Sequence, residues 1–392
     1  MADSKKIAAI ITTYFQHSHA DVIATKYMKG FPTDTGLQTP RVELVSIYLD
    51  QVDERDIGVG LAAAHNVPIY PSIRQALTLG GNELAVDGVL LIGEHGDYPY
   101  NELEQHMYPR RYMFEQICGV FASNGKSVPV FCDKHLSYNW DDAIWMYERA
   151  KSLDVPFMAG SSLPLGWRKP FLEHLLDTAL ESAVGIGYGG VESYGFHALE
   201  TLQCMIERRE GGESGVVAIQ CLEGEAVWEA GEAEKWSLGL AEAACAQIEN
   251  RPDSTFIEGC PNPTAFLLEH SDGFRSAVLM LNGYVSDFAY AAKAGDTDYA
   301  TEVYLQNGPP HSHFSYLSLN IEEMFVTGVP QYPVERTLLV TGILDALMHS
   351  RADGYVRVET PHLGELAYRS YERMPIRPVA PRPEGATLET QV

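Results

Sequence analysis

Short apolar runs alternating with amphipathic stretches dominate the first 161 residues of the chain. IAAIIT (7–12), VELVSIYL (42–49), VPIY (67–70), VDGVLLIG (86–93), SVPVFCD (127–133) and VPFMAGS (155–161) have the length and β-branched content of strands buried on both faces. Helical spacing is expected between them, around 19–30 and over 56–66, 108–125 and 141–154. Buried strands alternating with helices predict an α/β unit, a Rossmann-like doubly wound parallel sheet. From about 162 the rhythm changes. FHALETLQCMIERR (196–209) has a helical period, and VVAIQCLEG, AFLLEHSDG, RSAVLMLNGY and TEVYLQNG read as strands between turn residues. PVERTLLVTGILDALMHSR (333–351) predicts a closing helix and YVRVE (355–359) a last strand. The expected organisation is a Rossmann-like domain over 1–161 and an α+β domain with a mostly antiparallel open sheet over 162–374. A tail follows over 375–392, where Pro375, Pro378, Pro381 and Pro383 argue for an arm or for disorder.

A length of 392 residues suits two domains. With 28 basic and 53 acidic side chains the net charge is −25, which repels phosphate backbones and anionic lipid, so neither nucleic acid nor a membrane surface is an expected partner. No apolar run reaches the roughly 18 residues of a spanning helix. The six cysteines are scattered without a C-x-x-C pair and read as reduced thiols of a cytoplasmic protein. MADSKKIAAIITTYF fits a first strand better than a signal peptide.

The segment GKSVPVFCDKHLSYNWDDAIWMYERAKSLDVPFMAGSSLP (125–164) resembles the glucose–fructose oxidoreductase/inositol dehydrogenase (Gfo/Idh/MocA) family. The likeness extends to VELVSIYL with its helix and VPIY, to VDGVLLIG, to GFHALETL (195–202) and to the closing FVTGVPQYPVERTLLVTGILDALMHSRADGYVRVE. The resemblance implies NAD(P)-dependent hydride transfer on a sugar or polyol, and a homo-oligomer. It also implies a glycine fingerprint after the first strand, and here Ile11, Thr13 and Gln16 stand at the three glycine positions. A side chain at each obstructs the tight turn, the approach of the pyrophosphate or the helix–strand packing. Leu49 sits where an acidic residue holds the ribose, with Asp50 one residue later. If a nucleotide binds, Thr12, Thr13, Tyr14 and Asp50 are the residues expected to hold it. Gly185, Gly187 and Gly190 match the fingerprint by spacing but lie outside the first βαβ unit, and read as strand and turn.

Loops leaving the carboxyl ends of parallel strands converge on one crevice. They carry His17 and His19, then Glu94 and His95, then Asp133, Lys134 and His135, and the family likeness brings His197 to the same place. One reading is a divalent metal site for zinc, manganese or iron, with His17, His19, Glu94, His95 and His135 as ligands and an open position for water. The plainer reading is that these groups hydrogen-bond a polyhydroxylated substrate or cap helices, and spacing does not decide between them. Lys134 matches the lysine of the family's Glu-Lys-Pro, with Asp133 in place of the glutamate. His197 matches the family's acid–base histidine, with Glu192 and Glu200 as nearby carboxylates. The resemblance thus makes Lys134, His197 and Asp133 the catalytic candidates. Tyr98, His106 and Trp167 are expected to line the cleft, and Arg111 and Arg168 to bind a substrate carboxylate; His311 and His313 have no assigned role. Three functions follow for a small polar, sugar-like substrate: metal-assisted hydrolysis or elimination without nicotinamide, NAD(P)-dependent oxidation at a carbinol, or ligand binding without catalysis.

Overall fold

The computed structural model describes residues 4–306 and 308–378. The first part of the chain runs β1 (Lys5–Ile11), α1 (His19–Lys29), a β2–β3 hairpin (Phe31–Thr33, Gly36–Gln38), β4 (Val42–Leu49), α2 (Gly58–Ala64), β5 (Ile69–Tyr70), α3 (Ile73–Thr78), β6 (Gly88–Ile92), α4 (Arg110–Asn124), β7 (Val130–Asp133), α5 (Trp140–Ser152) and β8 (Phe157–Gly160). Its six parallel strands lie in the order β5-β4-β1-β6-β7-β8, the Rossmann arrangement. The strand order reverses between β1 and β6, so the carboxyl ends of these two strands open the crevice. The apolar runs read from sequence are these strands: residues 7–11 of β1 and all of β6, β7 and β8 are buried, whereas β4 exposes Glu43 and β5, at the edge, exposes Ile69.

The second part contains β9 (Trp167–Lys169), β10 (Ser182–Gly187), α6 (Gly195–Ile206), β11 (Val216–Glu223), α7 (Glu225–Glu232), α8 (Leu238–Gln247), α9 (Phe256–Gly259), β12 (Thr264–His270), β13 (Arg275–Met280), β14 (Phe288–Ala294), β15 (Thr297–Tyr304), α10 (Ser312–Thr327), α11 (Val334–Ala352), β16 (Val358–Glu359) and α12 (Pro361–Gly364). Eight strands form one sheet in the order β16-β11-β12-β13-β10-β14-β15-β9, antiparallel except for the β10–β13 pair. Helices α6 and α11 pack on one face and α7–α9 on the other. The spacing match at Gly185, Gly187 and Gly190 begins in β10 and ends in the following turn, as expected.

The chain recrosses the expected boundary at 161. Helix α10 returns to the first sheet, where Leu317, Ile321, Met324 and Phe325 share a core with Ile7, Ala9, Ile11 and Leu90. The Phe325 ring lies over Gly88, where a Cβ would approach it to 2.6 Å. The start of the tail is also packed: Ile376 N–H donates to Asn320 Oδ1 at 2.8 Å. Residues 379–392 of the expected arm lie outside the described residues. All six cysteines are free and buried, and no helix among the described residues is long and apolar enough to cross a membrane. Replacing Phe325 with Ala removes the ring that joins α10 to the first sheet. We expect a loss of about 3–5 kcal/mol of stability, read by chemical denaturation.

Candidate functional site

At the switch point, between the first sheet and the second part of the chain, lies a cavity of about 650 Å³. Its wall includes His17, His19, Glu94, His95, Lys134 and His197. His17, His95, Lys134 and His311 on this wall all have positive φ (67°, 68°, 62° and 51°), a conformation that non-glycine residues adopt at a cost and that concentrates at functional sites.

Glu94 is the anchor. It follows Gly93 at the end of β6, and its side chain is taken on both oxygens: Lys134 Nζ donates to Oε1 at 2.7 Å, and Arg110 Nη2 donates to Oε2. Arg110 opens α4 and is fully buried. It packs so closely over Gly93 that a Cβ there would lie 2.6 Å from Arg110 Cγ. Thr12 Oγ1 donates to Glu94 O at 2.7 Å and ties this loop to the end of β1. Burial alone would raise the Glu94 pKa, but Lys134 and Arg110 outweigh it and hold the carboxyl well below the ordinary range.

His197, on the first turn of α6, faces the cavity from the opposite side. Ser161 N–H and Oγ–H donate to Glu200 Oε2 at 2.9 and 2.5 Å, and His197 Nδ1 lies 3.1 Å from Ser161 Oγ. Because the serine proton is directed at the carboxylate, His197 donates through Nδ1–H, which leaves Nε2 as the basic nitrogen. Burial, reinforced by Lys134, keeps the imidazole neutral, well below its usual pKa. Burial also lifts Glu200 to about 7. Gly160 makes the arrangement possible: it has φ +119°, and any Cβ there would collide with Glu200 Oε1. Ser161 gave no sequence signal, since one serine after a strand looks like any turn residue.

Lys134, His197, His17, His19, Glu94, His95 and His106 all line the cavity, whereas Asp133 stands behind it and accepts a hydrogen bond from His19 Nδ1 at 2.6 Å. His106 is stacked between Tyr100 and Tyr108, with ring centroids 4.2 and 4.0 Å away. Four expected substrate contacts lie elsewhere. Tyr98 donates to Asp50 Oδ2 at 2.6 Å. Arg111 pairs with Glu115 on the outer face of α4 and covers Trp145. Trp167 is buried in β9 and donates to Asp34, and Arg168 is buried against Glu173.

The expected metal ligands do not form a coordination set. Among the described residues, no three or more His, Cys, Asp or Glu side chains are placed to hold a metal ion. The donor chemistry gives the reason. Both Glu94 oxygens already face cations, so a divalent ion there would sit beside two positive charges. His19 is engaged by Asp133, and His17 Nδ1 by His311 Nε2 at 3.0 Å. His135 lies off the cavity wall, 3.3 Å from Arg110 Nη1.

The residues expected to hold a nucleotide do not fit one in the glycine-loop pose. A pyrophosphate there needs free N–H groups at the first turn of α1. Three N–H groups of this loop and turn are taken by the chain itself: Asp21 Oδ2 accepts from His17 N–H at 2.8 Å, and Ser18 Oγ accepts from Phe15 N–H and Asp21 N–H at 3.2 and 3.3 Å. Tyr14 is buried with its hydroxyl against Thr25, and Thr13 is buried too. The segment after β4 crosses the same groove, with Gln51 N–H on Thr12 O and Ile57 N–H on Tyr14 O, both 2.8 Å. Asp50 accepts hydrogen bonds from Tyr48 and Tyr98, each 2.6 Å long.

No protein-family model matches the chain, and no curated protein does. Solved structures of the Gfo/Idh/MocA dehydrogenase type share its fold. GenD2 from gentamicin A biosynthesis, in complex with NAD, superposes with a TM-score of 0.57 at 13% identity over 92% of this chain and 97% of its own. Myo-inositol 2-dehydrogenase from Lactobacillus plantarum gives 0.55 at 11% identity over 91% and 99%. Apo scyllo-inositol dehydrogenase from Lactobacillus casei gives 0.53 at 10% over 91% and 98%. At these identities the likeness is one of fold.

Replacing Glu94 with Gln leaves two buried cations without a counter-charge, and we expect a loss of about 3–5 kcal/mol near neutral pH in denaturant titrations. Because the folded pKa is depressed, this contribution is present above the ordinary carboxyl pKa of about 4.3 and is lost as pH falls below it. The acid limb of the stability profile is therefore expected to flatten in the variant.

Proposed function

We propose that the protein is an oxidoreductase-type enzyme that acts at a secondary carbinol, or the carbonyl formed from it, on a small sugar- or polyol-like molecule. The observation that carries this reading is the pair Lys134 and His197, set on one cavity and each backed by a buried carboxylate. The dehydrogenase fold of the neighbours supports the reaction class. His197 Nε2 takes the hydroxyl proton, and its Nδ1–H, held on Ser161 and Glu200, steadies the imidazolium that forms. The Lys134 ammonium, held by Glu94, donates a hydrogen bond to the substrate oxygen and stabilises developing negative charge on it. A nicotinamide group, such as the NAD bound by GenD2, supplies a hydride acceptor for such a reaction. The glycine-loop seat for its dinucleotide is crowded by Asp21 and Ser18.

That crowded seat favours a second reading, in which the same pair moves protons next to a sugar carbonyl with no dinucleotide, as an isomerase does. Two assays separate the readings. Reduction of NAD⁺ or NADP⁺ across a panel of inositols and aldoses supports oxidation. Solvent deuterium entering a keto-sugar with no nucleotide present supports proton exchange. Failure of both overturns the assignment.

In whichever assay responds, Lys134→Met and His197→Ala are expected to lower kcat/KM by about 10²- to 10⁴-fold. Glu200 gains its negative charge as pH rises through about 7, so kcat should rise over that interval. Glu200→Gln should remove the inflection.

A further inference from the structure

One carboxylate on the cavity wall has no lysine or arginine bonded to it. Glu192, in the turn before α6, lines the cavity with its side chain 13% exposed, and its Oε1 has no hydrogen-bond partner. The nearest basic atom is His135 Nε2 at 3.6 Å, and that imidazole is kept neutral by burial and by Arg110. Burial pushes the Glu192 pKa up, but the contact with the His135 ring and the charge of Lys134 offset it and hold the carboxyl below its ordinary value. The other charges around the site are already matched. Arg110 and Lys134 stand against Glu94, Asp133 behind the wall accepts from His19, and at the rim Arg351 faces both Glu104 and Glu223. The histidines His95, His197 and His313 are neutral near pH 7, each lowered chiefly by burial. The cavity therefore has an excess of negative charge.

Two residues of the wall, Ser162 and His313, each bury a polar atom, Oγ and Nδ1, that has no protein partner. Buried polar groups left unpaired are costly, so a cluster of them just behind a cavity wall suits a site that gains a polar partner when filled. Beside Glu192 the wall is aromatic: the Tyr188 ring meets Tyr194 and Phe288 at centroid distances of 5.2 and 5.1 Å. A carboxylate next to ring faces suits an ammonium group carried on a hydroxylated ring. A phosphate or carboxylate on the ligand would instead meet Glu192 and Glu104.

We propose that the substrate is an amino sugar or aminocyclitol whose ammonium group is held by Glu192. This rests on the reading of the cavity as a sugar or polyol site and adds the charge of the ligand to it.

The test is calorimetric titration of the full chain with matched pairs, glucosamine against glucose and scyllo-inosamine against scyllo-inositol, with glucose 6-phosphate as the anionic probe. We expect at least one amine to bind about tenfold or more tighter than its hydroxyl twin, and the phosphate ester to bind weakest. In Glu192→Gln that ratio should fall to about one while the affinity for the neutral twin is kept. Raising the pH through the ionisation of the ligand's own amine should erase the advantage in the unaltered protein, a readout that does not depend on the variant folding. Equal affinities within both pairs, or a ratio that survives in Glu192→Gln, overturn the inference and leave the proposed reaction standing. No binding of any probe overturns the inference together with the cavity's assignment as a sugar site. Lys134→Met, which should lose turnover, is expected to keep the preference for the amine.

Discussion

Glu94 holds Lys134 and Arg110 at once, and the geometry of the crevice depends on that contact. A carboxylate this deeply buried is tolerable only with its charge opposed, and two cations from different loops oppose it. The contact joins the end of β6 to the start of α4 and to the turn after β7, three points far apart in the chain. Lys134 is thereby fixed in a left-handed backbone conformation with its ammonium group on the cavity wall. The opposite wall is built in the same manner, with Glu200 buried against Gly160 and reached by His197 through Ser161.

The two halves of the crevice differ in what they have kept. The inner half keeps imidazoles neutral on its wall and buries polar atoms without a protein partner just behind it. In the outer half, where a Rossmann fold ordinarily receives a pyrophosphate, Asp21 and Ser18 take the N–H groups of Phe15, His17 and Asp21, and the segment after β4 lies across the groove. An internal carboxylate there repels phosphate as well as displacing it.

Much of the architecture was legible in the sequence because strands buried on both faces must be continuously apolar. The six-stranded sheet follows from IAAIIT, VELVSIYL, VPIY, VDGVLLIG, SVPVFCD and VPFMAGS. The hairpin β2–β3 and the short α3 were not anticipated, since neither has enough residues to show a period. Helix α8 is rich in small residues, α7 and β14 are short, and α10 is mixed in polarity because Ser315, Ser318 and Asn320 are buried with it. Its return to the first sheet has no local signal.

At the site, the convergence of His17, His19, Glu94, His95, Lys134 and His197 on one cavity follows from topology, because loops at the carboxyl ends of parallel strands have nowhere else to go. The sequence by itself determined which residue types arrive there, and it determined the loss of the three glycines. It did not determine partners. Histidines beside carboxylates suit a metal or a hydrogen-bond network equally well, and only the tertiary structure decided that Arg110 reaches Glu94 first. The same holds for Arg168 and Trp167, whose chemistry suggests a substrate but whose buried positions commit them to Glu173 and Asp34. Chain pattern is set by which faces must avoid water, a local property. Pairing between charged side chains is set by distances of a few ångströms between segments remote in sequence, which the fold alone supplies.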